Sequence, residues 1–188
     1  MNTDLFLWLL ARVAGLTSFA ALAIAMVTGI GIRSALLDRL GSNRAIKATH
    51  EFTSVLWIPL GALHVIALLL DATARIRPID VVVPFVNSYN GTAMLAVGLG
   101  TVSFDLVAAV VLTAWLRTRM NQRAWYWAHR LAYLAFAVLF LHAVLAGTDF
   151  SDPYVSAITW ATAFMIGVLA LARALWGRLP SGQEPGSG

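Results

Sequence analysis

The side chains of this chain best suited to chemistry are four histidines, His50, His64, His129 and His142, and it has no others. They form two pairs, 14 and 13 positions apart, each set in one long apolar stretch, Ala45–Leu70 and Trp125–Ala146. An imidazole in such a stretch can bridge helices, relay a proton or ligate a metal. One histidine does not choose among these. Two pairs at similar spacing favour ligation, because two helices carrying them can bring imidazoles face to face at two depths. A haem iron held by two imidazoles has no open position for a substrate, so such a centre passes electrons.

The spacing says more about one helix than the other. Fourteen residues are four turns at 3.5 per turn, so His50, Ser54, Trp57, Gly61 and His64 share a seam. Gly61 precedes His64 by one turn and would let a porphyrin face approach the backbone. Pro59 removes the donor to the Val55 carbonyl and predicts a kink. Thirteen residues set His142 about 140° around from His129 on a straight helix. Either the two haems then lie on different sides of that helix, or it is locally rewound. Trp57 and Phe136, near the midpoints of the pairs, are placed between the haems, although packing is the ordinary role of such aromatics.

The elements that must position these residues are membrane helices. The chain has 188 residues, of which 60% are hydrophobic and 12% charged, with a mean hydropathy of +0.78. Soluble domains carry about 25% charged residues, and the apolar runs here reach the ~20 residues that span a bilayer. The expected fold is an all-α integral membrane bundle of five, or six, spanning helices. Five are read directly, at Leu5–Ile32, Ala45–Asp71, Thr92–Leu116, Trp125–Gly147 and Pro153–Leu175. Residues 1–176 form one domain, and 177–188 read as a disordered cytoplasmic tail. With no cysteine, disulfides, thiolate metal sites, iron–sulfur clusters and covalent C-x-x-C-H haem attachment are excluded. The N-terminus lacks the basic segment of a cleavable signal.

Basic residues sort by connection. Arg33, Arg39, Arg44 and Lys47 flank the first, Arg117, Arg119, Arg123 and Arg130 the third, and Arg173 and Arg178 the C-terminal end. The second has Arg75 and Arg77 alone, and the fourth has Asp149 and Asp152. The positive-inside rule then places the N-terminus outside and the C-terminus in the cytoplasm. His50 and His129 lie toward the inner face, and His64 and His142 toward the outer, about 20 Å apart along the helices. The connection 72–91 reads as an interfacial loop or as a lid over the outer haem.

Charges within the spans need partners. Arg12 is assigned to a haem propionate, with pairing to Asp105 as the alternative. For Asp105 structural pairing is preferred over proton handling at a quinone or haem edge, and both charges are expected to face the interior. Arg44, Lys47, Arg123 and Arg130 are candidates for the inner propionates or for topology alone. Trp8, Tyr126, Tyr154 and Trp176 read as interfacial anchors.

The pairs His50/His64 and His129/His142, with the segments WYWAHRLAYLAFAVLFLHAVLAGTD and VPFVNSYNG, resemble the ferric reductase-like transmembrane domain. That family includes NADPH oxidases, ferric reductases and the haem-binding membrane subunit of the bacterial methionine sulfoxide reductase system. The resemblance spans roughly Leu5 to Leu175. It implies two non-covalent b-type haems with the four histidines as axial ligands, in a multi-pass protein of a bacterial inner membrane. Five helices rather than six, and no flavin or nicotinamide domain, are departures. Gly98-Leu-Gly100 lies within a span and reads as helix packing. The resemblance therefore implies an electron-transfer subunit rather than a complete enzyme. Its donor would be a quinol or a separate flavoprotein, and its acceptor an outer-face redox partner. Whether quinone or flavin binds this chain is left open, and no nucleic-acid partner is expected. The competing class is a haem-free assembly subunit or a histidine-based proton-relay transporter.

Overall fold

The structure is a computed structural model that describes residues 3–32 and 41–176, all-helical with no strand among them. Arg33, Arg39, Arg178 and the tail at 177–188 lie outside the described residues, as does the Trp176 side chain. In chain order the helices are α1 (Thr3–Gly31), α2 (Asn43–Leu70), the short α3 (Pro78–Val82), α4 (Gly91–Trp115), α5 (Gln122–Ala146) and α6 (Pro153–Trp176). All except α3 are long and apolar enough to cross a membrane. The chain is a multi-pass membrane protein.

Polar caps explain where helix starts differ from the hydropathy pattern. The Ser42 hydroxyl accepts from the Ala45 N–H at 3.3 Å, and the Asn121 side chain accepts from the Arg123 N–H at 2.8 Å. Capping oxygens satisfy donors that a helix start leaves open, so α2 and α5 begin in polar residues before the apolar run. Asp152 does the same for α6, accepting from the N–H groups of Tyr154 and Val155 at 2.9 and 3.0 Å, with Pro153 in the first helical position where it loses no bond. α2 continues as one helix through Pro59.

Two antiparallel hairpins, α1–α2 and α4–α5, make the body of the bundle, and α6 lies against α1 and α5. Ala11, Ala14, Ala21, Ala23 and Ala25 of α1 are buried. Small side chains allow the close approach on which helix association in lipid depends. One core cluster joins Phe19, Met26 and Ile30 of α1 to Phe136 and Phe140 of α5 and Ile166 of α6. A second joins Trp57 of α2, Val107 of α4 and Ala135 of α5. Many large apolar side chains point outward, Leu112, Trp115, Leu134 and Phe164 among them, as a lipid-facing surface requires. Arg173 closes the far end by donating to the Ile30 carbonyl at 3.2 Å.

The connection between α2 and α4 is a latched substructure. The Asp71 carboxylate accepts from the Thr73 N–H and hydroxyl at 2.8 and 2.6 Å. Arg77 donates to both oxygens of the buried Asp80, at 3.1 and 2.7 Å, and to the Val86 carbonyl at 2.7 Å. The Thr101 hydroxyl of α4 donates to the Asp80 carbonyl at 2.5 Å, and the Tyr89 hydroxyl donates to the Ala74 carbonyl. Phe85, with a positive φ of 65°, sets its ring against Gly98, where a Cβ would collide with it. The bonds from Thr73 hold the Asp71 carboxyl below its ordinary range. Those from Arg77 do the same for Asp80, and Arg77 is raised in turn.

Candidate functional site

The bundle brings the four histidines together in two pairs, each with one ring from α2 and one from α5. The ring centres of His50 and His129 are 6.3 Å apart at an interplanar angle of 84°. Those of His64 and His142 are 6.4 Å apart at 74°. The two levels are separated by 14 residues of α2, about 21 Å of helix. An iron between two imidazole nitrogens at about 2.0 Å, with each ring centre about 1.1 Å beyond its nitrogen, sets the centres roughly 6.2 Å apart. Both pairs have that separation. Edge-to-face ring pairs also occur at such distances, so the nitrogens must decide.

Nδ1 of His50 lies 2.8 Å from the Ala25 carbonyl oxygen. Nδ1 of His64 is 2.7 Å from that of Ala11, and Nδ1 of His142 is 2.7 Å from that of Ala96. A carbonyl oxygen can only accept, so each of these Nδ1 atoms donates. The neutral ring then carries its lone pair on Nε2. A backbone acceptor behind one nitrogen and a free lone pair on the other is how proteins orient a ligating histidine.

The seat for each of these rings has a second part. Four residues after each accepting alanine stands a glycine: Ala11 and Gly15, Ala25 and Gly29, Ala96 and Gly100. A Cβ would come within 2.9 Å of the His64 ring at Gly15, 2.9 Å of His50 at Gly29, and 2.8 Å of His142 at Gly100. Carbonyl and glycine together form a two-point cradle in the flanking helix. The two cradles on α1 are 14 residues apart, matching His50 and His64 in reverse order, as antiparallel packing demands. Hydropathy does not register this pattern. Its sequence signal is the repeated Ala-x-x-x-Gly with the histidine spacing.

His129 is seated differently. The register that pairs His142 with Ala96 brings position 129 to Ala109, with Thr113 where the glycine would be. The Thr113 hydroxyl donates to the Val110 carbonyl at 2.9 Å. The His129 ring instead stacks on Trp125 at 5.2 Å and 16°, and the Arg117 guanidinium covers Trp125 at 4.7 Å. Both α5 histidines still reach α2 from one unbroken helix, which bridges the 140° offset by ring direction: His142 turns toward α4, and His129 lies along its own helix.

The other expected site residues are placed as follows. Trp57 is buried midway along the α2 seam and packs on Phe104 at 6.3 Å. Its indole N–H is buried with no hydrogen-bond partner among the described residues. Phe136 is buried but stacks on Phe19 of α1 at 5.7 Å, away from the Trp57 cluster. Gly61 faces Trp57 and the Ser18 hydroxyl, so the space beside it holds the protein's own side chains. Gly100, read from sequence as helix packing, is the seat of His142. Arg12 does not pair with Asp105. It forms an ion pair with Asp149, Nε to Oδ2 at 3.0 Å with a second, shorter bond, and lies over the Trp8 ring. Asp105 is exposed on α4 rather than interior. Arg130 is exposed and lies over the Trp127 ring at 4.8 Å, on the periphery of the bundle. Arg44, Lys47 and Arg123 are exposed, with Lys47 3.7 Å from Glu51.

Among the described residues no group of three or more histidine, cysteine or acidic side chains could hold a metal ion. Each pair offers two imidazoles, with ring centres 6.3 and 6.4 Å apart. A ligand that brings its own four equatorial donors, as a porphyrin does, completes that geometry; a bare ion would be left short of ligands. The donor set and the glycine cradles therefore fit haem. In comparisons with family models, curated proteins and solved structures, the chain matches none.

Proposed function

We propose that this protein carries electrons across a membrane through two b-type haems, one held by His50 and His129 and one by His64 and His142. The observation that carries this reading is the pair of ring separations, 6.3 and 6.4 Å, together with the three Nδ1 donors that leave Nε2 for iron. Bound haem supplies reversible one-electron chemistry at each level. The chain's own residues do the rest. The cradles of α1 and α4 hold ring orientation, Trp57 and Phe104 fill the space between the levels and exclude water, and the latched segment before α4 packs on the same helix that seats His142.

The resemblance to the ferric reductase-like transmembrane domain points the same way and supplies the rest of the proposal. The protein would sit in a bacterial inner membrane with its N-terminus outside, as the electron-transfer subunit of an oxidoreductase. A quinol or a flavoprotein would feed the His50/His129 level, and an outer-face partner would drain the other. Replacing either His64 or His142 by alanine should remove one haem and spare the other, giving one haem per chain with an intact low-spin spectrum. Loss of both haems from either variant, in protein that still folds, would contradict two independent sites.

A further inference from the structure

The segment between α2 and α4 is turned inside out for a loop in water. Five of the eight residues from 79 to 86 are large, apolar and exposed: Ile79, Val82, Val83, Phe85 and Val86. Its acidic and amide side chains are the ones tucked in. Asp80 is 2% exposed against 66% for Val82, and its carboxylate is held by the Arg77 guanidinium and N–H. The buried Asn87 side chain donates to the Met94 carbonyl and accepts from the Tyr89 N–H, both at 3.2 Å. The Val86 carbonyl takes its bond from Arg77. Water would satisfy such polar groups freely and penalise the apolar ones. Lipid reverses both preferences, because polar atoms there must be satisfied from within the protein.

The segment also lies at a definite depth. The Asp80 carbonyl is bonded to Thr101 and the Phe85 ring sits on Gly98, on either side of Gly100. The ring seated on Gly100 is His142, and α5 ends four residues beyond it; α2 ends six beyond His64. This level is therefore about 6–9 Å inside those helix ends. Non-helical backbone does not face lipid in the hydrocarbon itself, but apolar surface elements lie about 5–10 Å into the boundary between headgroups and acyl chains. The spans that the segment joins expose Ile66, Leu70 and Leu95 toward the same end, so the patch extends an apolar surface that the membrane already covers. The Arg77 side chain, 50% exposed, is long enough to keep its charge among the headgroups. We propose that residues 79–86 are seated in the membrane, with Ile79, Val82, Phe85 and Val86 among the acyl chains just beneath the headgroups. The lipid is the partner of this face. A docked protein would look for polar groups to pair at the rim of its contact, and here those groups are already paired within the segment. The inference needs no haem and stands apart from the electron-transfer reading.

The chain's lack of cysteine allows a nitroxide label at one chosen position of the full chain, purified alone and reconstituted in vesicles of phosphatidylcholine and phosphatidylglycerol. Labels at Val82→Cys and Val86→Cys should be reached by dissolved oxygen and shielded from a water-soluble nickel chelate, reading depths of about 5–10 Å below the phosphates. The label at Asn90→Cys, ten residues before Gly100 and at a side chain that makes no capping bond, should stay open to the chelate. A circular dichroism spectrum equal to that of the parent shows that each variant is folded, and Ile79→Cys replaces either apolar position that fails this check. Labels at 82 and 86 as open to the chelate as the one at 90 would overturn the proposal and leave the patch to a soluble partner. Labels reached by neither reagent would overturn it too, since protein would then cover the patch.

Discussion

Substituting Gly15 by alanine isolates what a cradle contributes. The new Cβ would stand 2.9 Å from His64 Nδ1 and 3.1 Å from Cε1, against the ~3.5 Å or more at which carbon contacts are relaxed. The ring must retreat by about 0.6 Å. That stretches the 2.7 Å bond to the Ala11 carbonyl to about 3.3 Å, beyond the usual range. Weakening that bond costs about 1 kcal/mol, and overpacking adds about 1–3 kcal/mol. Alanine returns about 1 kcal/mol in helix propensity. The net, about 1–3 kcal/mol against the seated ring, corresponds to haem held roughly 5- to 150-fold less tightly, a range that covers the loss expected for a ligand's backing group. The assay is haem transfer from purified protein to an excess of apo-globin, followed in the Soret band: one of two haems should leave faster from Gly15→Ala. Gly167→Ala, where a Cβ meets nothing within 4 Å, is the control and should transfer at the parent rate. If Gly15→Ala behaves like Gly167→Ala, the cradle plays no part in holding the ring.

Three further outcomes are expected. Trp125→Leu should shift the midpoint potential and the low-spin EPR signature of the His50/His129 haem alone, and Trp125→Phe should restore much of both; equal shifts in both haems would refute a local stacking role. Asp71 and Asp80 have depressed pKa values, so their bonds contribute stability that is whole above the ordinary carboxylate range and fades as pH falls below about 4. Proteolysis within 72–90 should therefore begin only in acid, and cleavage that rises instead toward alkaline pH would have the wrong sign. Asp149→Asn removes the charge opposite Arg12 in a partly exposed pair and should lower thermal stability by about 0.5–1 kcal/mol without altering haem content; loss of haem would assign Arg12 and Asp149 to the site itself.

Much of the bundle was legible because membrane helices announce themselves by hydropathy. The five spans agree with expectation to within three residues at either end, the largest differences being the early starts of α1, α2 and α5 at Thr3, Asn43 and Gln122, where polar residues dilute the apolar signal. The pairing of histidines between two helices was also legible, since 14- and 13-residue spacings restrict which rings can meet. The cradles were not read, although Ala11/Gly15 and Ala25/Gly29 repeat the His50/His64 interval within α1; alanine and glycine carry no chemistry until a ring is packed on them. Arg12 and Asp149 lie 137 positions apart, and nothing local distinguishes that partner from Asp105. The outward turn of Asp105 depends on the rotation of α4, which its nearly uniform apolar surface leaves unmarked.

The central claim meets its most direct test in the visible spectrum of the purified protein, taken with its haem-to-chain ratio. Two non-covalent haems per chain, low-spin in both oxidation states and insensitive to carbon monoxide, are the predicted result, because two imidazoles close each iron. A colourless preparation from haem-replete cells, or haem that binds carbon monoxide at both levels, would contradict it.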